Sequence, residues 1–325
     1  MIKKFFLIIL IFVSSCSLIS CADKNVINIG ILQYIEHNAL TKAKEGFIDG
    51  LKEEGFIDGE NIKIKVFNPE SDATTMALQS KELARTSDLI LAIATPAAVS
   101  VVNAVKEEGK ETPVLFTAVT DPIASNLIES FDNPGGFVTG TTDMNPIAEQ
   151  IGLIKELKLN AKRLGIIYTA SETNSEVQSS IAKSEAEKLG LEVEIKTIES
   201  VNDLQMVTNQ LVNNVDVLYI PTDNIISAAM GIVKGIIEEK KIVTIVGESN
   251  MVYAGGSITY GVDYYRLGKQ TAKMAVEILK NKKSPKDIKT TSLEEYSLVI
   301  NLKQLEAMQI KVPDEVIKKA DEVIK

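Results

Sequence analysis

The chain has 325 residues, 45% hydrophobic and 24% charged, a balance that supports a large packed interior and argues against extended disorder. That length suits one large α/β unit or two lobes, and two lobes is the expected arrangement. A net charge of −9, with no basic tail or stripe, argues against nucleic acid as a partner.

The first predicted element is a secretory signal, "MIKKFFLIILIFVSSCSLISC": Lys3 and Lys4, an apolar run from Phe5 to Val13, then small residues ending in cysteine. The apolar run is too short to span a bilayer comfortably, which takes about 20 apolar residues. "LISC" resembles a bacterial lipobox, which implies cleavage before Cys21 and lipidation of its sulfur; "VSSC" ending at Cys16 is a weaker second match. With Cys21 lipidated, the folded body has no cysteine, so a disulfide framework, a thiol nucleophile and a cysteine metal site are all absent. A lone histidine, His37, argues against a zinc site and a Ser/His/Asp triad.

The next elements alternate short β-branched runs with amphipathic stretches. Strand "VINIGIL" (26–32) precedes a helix over "TKAKEGFIDGLKEEG"; "IKIKVF" (62–67) follows, then a helix over about 74–86. "DLILAIA" (88–94), a helix from about Ala97 to Glu108 and "PVLFTAV" (113–119) close a first round. A second round starts at "RLGIIYT" (163–169), with a helix over 175–189, "EVEIKTI" (192–198), a helix near 203–213 and "VDVLYIP" (215–221). Helix 225–239 and "IVTIVG" (242–247) complete it. Continuous apolar runs of this kind mark parallel strands covered by helices on both faces, hence a doubly wound sheet in each of two similar lobes.

In such sheets ligands gather outside the carboxyl ends of the strands, where helix starts offer unpaired N–H groups. "IATPAAVSVV" (93–102) is a helix start of this kind, with no glycine-rich loop before it. Thr95 with its hydroxyl, and the following amides at Ala97 and Ala98, suit a small anion, and Pro96 is at home in a first turn. An ordinary hydroxyl N-cap would look the same locally. Other strand ends carry Thr117, Thr120 and Asp121, "SETNS" (171–175), Asp223 with Asn224, and Glu248 with Ser249. Hydroxyls and amide donors opposite carboxylates suit a zwitterion, whose carboxylate sits on a helix start and whose ammonium sits on an acid.

The ordered set "QYIEHNAL" (33–40), "ATPAA" (94–98), "AVTDP" (118–122), "GTTDMNPI" (140–147), "YTASETNS" (168–175), "PTDN" (221–224) and "GVDYYRLG" (261–268) resembles the tryptophan/tyrosine-type substrate-binding lipoproteins of ABC importers. "GES" (247–249) stands where that family has "GEE". The resemblance implies two Rossmann-like lobes with parallel sheets on a three-crossing hinge, the type I periplasmic-binding-protein fold. Lobe one would take 26–141 and 263–286, and lobe two 142–262 and 287–325, with crossings at "GTTDM", "SITYGVD" and "TTSLEEYS". The tail "NLKQLEAMQIKVPDEVIKKADEVI" would pack as helices on lobe two, Pro313 starting the last.

The resemblance also implies a function without bond making: capture of an amino acid, Trp, Tyr or Phe, and delivery to a membrane permease with its ATPase. The protein would be a monomer, lipid-anchored on the extracytoplasmic side of a bacterial membrane, with no cofactor and no metal. Thr95, Ala97 and Ala98 would hold the carboxylate, with Ser171 and Ser175 closing from the other lobe and Thr117 and Asn174 as further ligand contacts. Asp223, beside Asn224, is the expected ammonium partner, with Asp121, Glu248 and Asp263 in reserve. Glu36 and His37 would line the cleft mouth, and Tyr34 and Tyr168 are the aromatic residues nearest it. The alternatives are a sensor of the same fold signalling to a kinase or chemoreceptor, and an importer component for a branched amino acid, a sugar or a purine. Enzymatic activity is the weakest reading, since no nucleophile–base pair or phosphate loop is legible.

Overall fold

The computed structural model describes residues 26–325, so the signal segment with Cys16 and Cys21 lies outside the described residues. The chain builds two sheets. In the first, β1 (Ile27–Gln33), β2 (Ile62–Phe67), β3 (Leu89–Ile93), β4 (Val114–Val119), β5 (Val138–Thr142) and β11 (Thr291–Ser292) lie in the order β11-β5-β4-β3-β1-β2, every pair parallel. Helices α1 (Asn38–Glu53), α2 (Ala73–Thr86), α3 (Thr95–Glu107) and α10 (Tyr264–Leu279) belong to this lobe, and Leu89 to Ile93 are wholly buried between them. That double cover is why these strands read as unbroken apolar runs.

The second sheet contains β6 (Arg163–Thr169), β7 (Glu192–Ile198), β8 (Val217–Ile220), β9 (Val243–Val246), β10 (Ile258–Gly261), β12 (Ser297–Asn301) and β13 (Glu322–Ile324). Its order is β13-β12-β10-β9-β8-β6-β7, and only the β10–β12 pair is antiparallel. Its helices are α4 (Ile147–Glu156), α5 (Thr173–Lys188), α6 (Val201–Val212), α7 (Asn224–Ala228), α8 (Met230–Lys240), α9 (Ser249–Tyr253), α11 (Leu302–Ala307) and α12 (Asp314–Lys319). Separate apolar cores lie on the two faces of this sheet, and a third fills the first lobe.

The chain passes between the sheets three times: after β5, after β10 and after β11. The last passage comes later than the expected boundary at 287. Thr291 and Ser292 pair with Thr141 and Thr142, completing the free edge of the first sheet, and Leu293 stays in the first core. Two further expectations change. The tail does not end as a helix, because β12 leaves an edge open and Glu322–Ile324 add to it as a parallel strand. The helix expected over 225–239 divides at Ala229 into α7 and α8.

Each sheet reverses its winding once, between β1 and β3 in the first and between β6 and β8 in the second. At such a reversal the connections leave to opposite sides and open a crevice at the carboxyl ends of the strands. The loop after β1 and the start of α3 flank one crevice; the β6–α5 and β8–α7 loops flank the other.

Candidate functional site

The two crevices meet. His37, after β1, places its imidazole Nε2 3.2 Å from Asn224 Oδ1 at the start of α7. Gln178 on α5 donates from Nε2 to Thr120 Oγ1 of the first lobe (3.1 Å) and accepts from Thr222 N–H of the second (3.2 Å). Thr120 also donates to Asp143 Oδ1 at the first crossing, and the Tyr264 hydroxyl donates to Asp143 Oδ2 at 2.6 Å. Asn145 at the same crossing donates to Thr222 Oγ1. Buried hydrogen bonds therefore join both lobes and the hinge, and the cleft is closed.

On the first-lobe side, Ala94 precedes α3 with φ 82° and ψ 154°, a left-handed backbone that costs a non-glycine residue of order 1–3 kcal/mol. Ala118 on the neighbouring strand has φ 56°, where the β4–β5 register shifts between Phe116 and Val119. Ala94, not Thr95, is the N-cap, and Thr95 is already helical. Its hydroxyl makes no capping bond; it is unpartnered among the described residues although Thr95 is only 3% exposed. The Ala98 amide is not available to a ligand, because it donates to Ala94 O as the first bond of the helix. That leaves the earlier amides of Thr95 and Ala97, which have no intrahelical acceptor.

The second-lobe side is acidic. Glu172, fully buried, accepts on Oε2 from Asn174 Nδ2, Asn224 N–H and Asn224 Nδ2, and on Oε1 from Ile225 N–H alone. Asp223, 1% exposed, accepts from Thr169 N–H and Ile226 N–H and from the Thr169 hydroxyl. Burial and then the Asp223 charge push Glu172 up to about 8, and burial raises Asp223 as well. Burial, then the charges of Glu172 and Asp223, raise the phenol of Tyr34, the residue just after β1. The ion pairs among the described residues all lie at the surface, and none reaches Glu172 or Asp223.

Asn174, Ser175 and Asn224 join this cluster, since Asn174 Nδ2 and Ser175 Oγ both donate to Thr222 O. The Asn174 Oδ1 stays unpartnered. Other expected residues have structural duties instead. Thr117 is locked in a buried hydroxyl ladder with Thr141 and Thr271 behind β4. Asp121 caps the amides of Ile123 and Ala124 in a turn. Asp263 is exposed and caps Arg266 at the start of α10. Glu248 is buried, pushed up to about 7 by that burial, and caps α9 through Asn250 N–H while accepting from the Ser227 hydroxyl. Ser171 and Glu36 are exposed, and Tyr168 is half-buried. Ala97 is fully buried and Tyr34 nearly so.

Sequence reasoning missed Glu172 as the central acid, although "SETNS" contains it. It also missed Gln178. A usable signal was present: Asn174, Ser175, Gln178 and Ser179 recur at helical spacing on the buried face of α5, where a purely structural helix would carry apolar residues. Among the described residues no cluster of three or more His, Cys, Asp and Glu could hold a metal, and no helix is long and apolar enough to cross a membrane.

Known proteins share this architecture. The family model for ABC transporter substrate binding proteins matches residues 28–324. A tyrosine-binding protein of Clostridioides difficile is 40% identical over 87% of this chain and 81% of its own length. An ABC domain from Streptococcus pneumoniae solved in complex with L-Trp is 36% identical, covers 92% of this chain and 100% of its own, and superposes with a TM-score of 0.87. The ligand-free, open structure of a substrate-binding protein with adhesive properties from Clostridium difficile is 37% identical over 92% of this chain and 99% of its own, but its TM-score is 0.69. With type I periplasmic-binding architecture throughout and a family match over nearly all the described residues, the chain belongs to the ABC transporter substrate-binding proteins.

Proposed function

We propose that this protein is the extracytoplasmic substrate-binding lipoprotein of an ABC importer, anchored through Cys21, which closes on one aromatic amino acid and delivers it to a permease. The observations that carry the amino-acid reading are the buried Glu172–Asp223 pair of the second lobe, with no protein cation among the described residues, and the unpartnered Thr95 hydroxyl at the strand ends of the first. A ligand ammonium supplies the missing positive charge on the acidic side. The ligand carboxylate takes the Thr95 hydroxyl with the first amides of α3. Glu172, beside the unpartnered Asn174 Oδ1, is the ammonium partner in this reading, with Asp223 next to it. Ser175 and Asn174 position this acidic wall, while His37 and Glu36 sit at the mouth.

Aromatic preference is supported by the relatives, one named for tyrosine and one solved with L-Trp. The lobes here superpose much better on the Trp-bound relative than on the open one, although the two are almost equally similar in sequence. The chain has no tryptophan, so indole-selective excitation sees only added L-Trp. A saturable change in that signal on mixing, reversed by L-Tyr or L-Phe and weakened by Thr95→Ala, is the expected result. No indole change, together with a raised melting temperature in a sugar or purine, would overturn the assignment. At a hundredfold excess over Kd, binding adds about 2.7 kcal/mol of stability, well within reach of a thermal-shift screen.

A further inference from the structure

Glu172 and Asp223 reach the same short helix from adjacent loops. Glu172 takes the Asn224 and Ile225 amides, and Asp223 takes the Ile226 amide. The groups facing them offer no positive charge. From the residue just after β1 comes the Tyr34 phenol. From the following loop comes His37, which burial holds down to about 4 and therefore neutral, with the bond to Asn224 working the other way. From α7 come Asn224 and Ser227, the latter donating to Glu248, a further acid. Two buried carboxylates in one site cannot both stay ionised without a cation, and one proton shared by the site resolves the conflict. Each acid keeps one oxygen with a single N–H, Asp223 Oδ2 and Glu172 Oε1, and Glu172 is set apart by its neighbour: only it is bonded to a buried residue, Asn174, with an acceptor oxygen left unpartnered. That Asn174 Oδ1, in a residue 4% exposed, marks an unfilled polar place at this wall.

We propose that the closed, ligand-free molecule carries one proton on Glu172, and that an incoming primary ammonium takes that proton's place, so that each ligand captured releases one proton to solvent. The inference rests on the reading of the protein as an amino-acid receptor. In balance, the neutral Glu172 carboxyl and the R–NH3+ of the ligand give a carboxylate–ammonium pair and a free proton. Only the Glu172 O–H bond breaks, its electron pair staying on the carboxylate oxygen, and no bond forms to the ligand. Glu172 is thereby a proton store as well as a ligand contact, and apparent affinity rises with pH by up to about tenfold per unit while Glu172 is protonated in the ligand-free form.

The test is calorimetry of L-Trp binding to the purified protein just below neutral pH, in phosphate and in imidazole, whose heats of protonation differ. The expected result is about one proton released per L-Trp bound. Glu172→Gln, which keeps size and loses the proton, binds more weakly with no release and no pH slope. Binding by the wild-type protein without proton release overturns the proposal and leaves the receptor reading standing. If no aromatic amino acid binds, the receptor reading fails. Carbon-13 NMR of the Glu172 carboxyl in the ligand-free wild-type protein then decides the proton by itself, and titration in the ordinary glutamate range overturns it.

Discussion

His37 and Asn224 lie 187 residues apart in sequence and 3.2 Å apart across the cleft. Both N–H donors of the Asn224 side chain and backbone point at Glu172, so its Oδ1 is what remains to face the imidazole, and Nε2 must donate. This bond exists only when the lobes are together. His37→Ala therefore leaves the melting temperature of the lobes nearly unchanged while removing about 1 kcal/mol from closure, a roughly fivefold loss of ligand affinity. Small-angle X-ray scattering of the ligand-free variant should show a larger radius of gyration than the wild type. An unchanged radius with unchanged affinity would mean that the bond does not hold the lobes.

Ala94 turns the chain from β3 into α3 with φ 82°. Glycine adopts that backbone without steric cost but loses more entropy on folding, by roughly 0.5–1 kcal/mol. Since the strain is of order 1–3 kcal/mol, Ala94→Gly should leave the protein equally stable or up to about 2.5 kcal/mol more stable, with ligand binding kept. Ala94→Val, β-branched at a positive φ, should lower the melting temperature and weaken binding together, because the Thr95 hydroxyl and the first amides of α3 move with the turn. Thermal unfolding and L-Trp titration of both variants separate these outcomes.

The parallel strands were the most legible part of the chain, for a physical reason: covered on both faces, they need no polar alternation. Arg163–Thr169 could be bounded to the residue from sequence. Glu322–Ile324 could not, because "PDEVIKKADEVI" spaces its apolar residues as a helix does, and only the open edge of β12 turns the last three into a strand. The break at Ala229 was equally hidden, since no proline marks it. Near the cleft, the start of α3 was legible to within two residues because it depends on one contiguous stretch, although Ala94 rather than Thr95 caps it. Glu172 was not, since an acid at a helix start is ordinary, and its role emerges only when Asp223, Asn224 and Tyr34 arrive from distant loops.

The buried acids and the half-buried histidine give the ligand-free protein opposing responses to pH. Glu172 keeps its proton in the fold up to about 8, whereas an unfolded glutamate loses it near 4.3. Over that window the folded state binds more protons, so its stability falls as pH rises. Glu248, pushed up to about 7, has the same sign and stops contributing earlier. His37 has the opposite sign: held down to about 4, it loses stability for the fold as pH drops below the ordinary histidine value near 6.5. Between about pH 7 and 8 Glu172 acts alone among these three, and the melting temperature of the ligand-free protein should decline there. Glu172→Gln should flatten the decline, and saturating L-Trp should remove it by pairing the carboxylate. A melting temperature that rises across this window would contradict the raised Glu172.

The placement of the hinge depends on a close helix crossing. A Cβ on Gly46 of α1 would lie 2.0 Å from the Tyr265 carbonyl oxygen, and one on Gly268 of α10 would lie 2.0 Å from the Ala43 carbonyl oxygen. The obstacles are backbone atoms, so neither alanine fits unless the helices separate. Because α10 begins directly after the second crossing, and Tyr264 in its first turn holds Asp143 at the first, separation there should disturb closure as well as packing. Gly268→Ala and Gly46→Ala should each cost about 1–3 kcal/mol in chemical denaturation, and the double variant less than their sum, because either change opens the same contact. Gly152, within α4 and with nothing near its would-be Cβ, is the control: Gly152→Ala should stabilise by about 0.5–1 kcal/mol through helix propensity alone. Equal losses at all three positions would mean that the crossing carries no special packing demand.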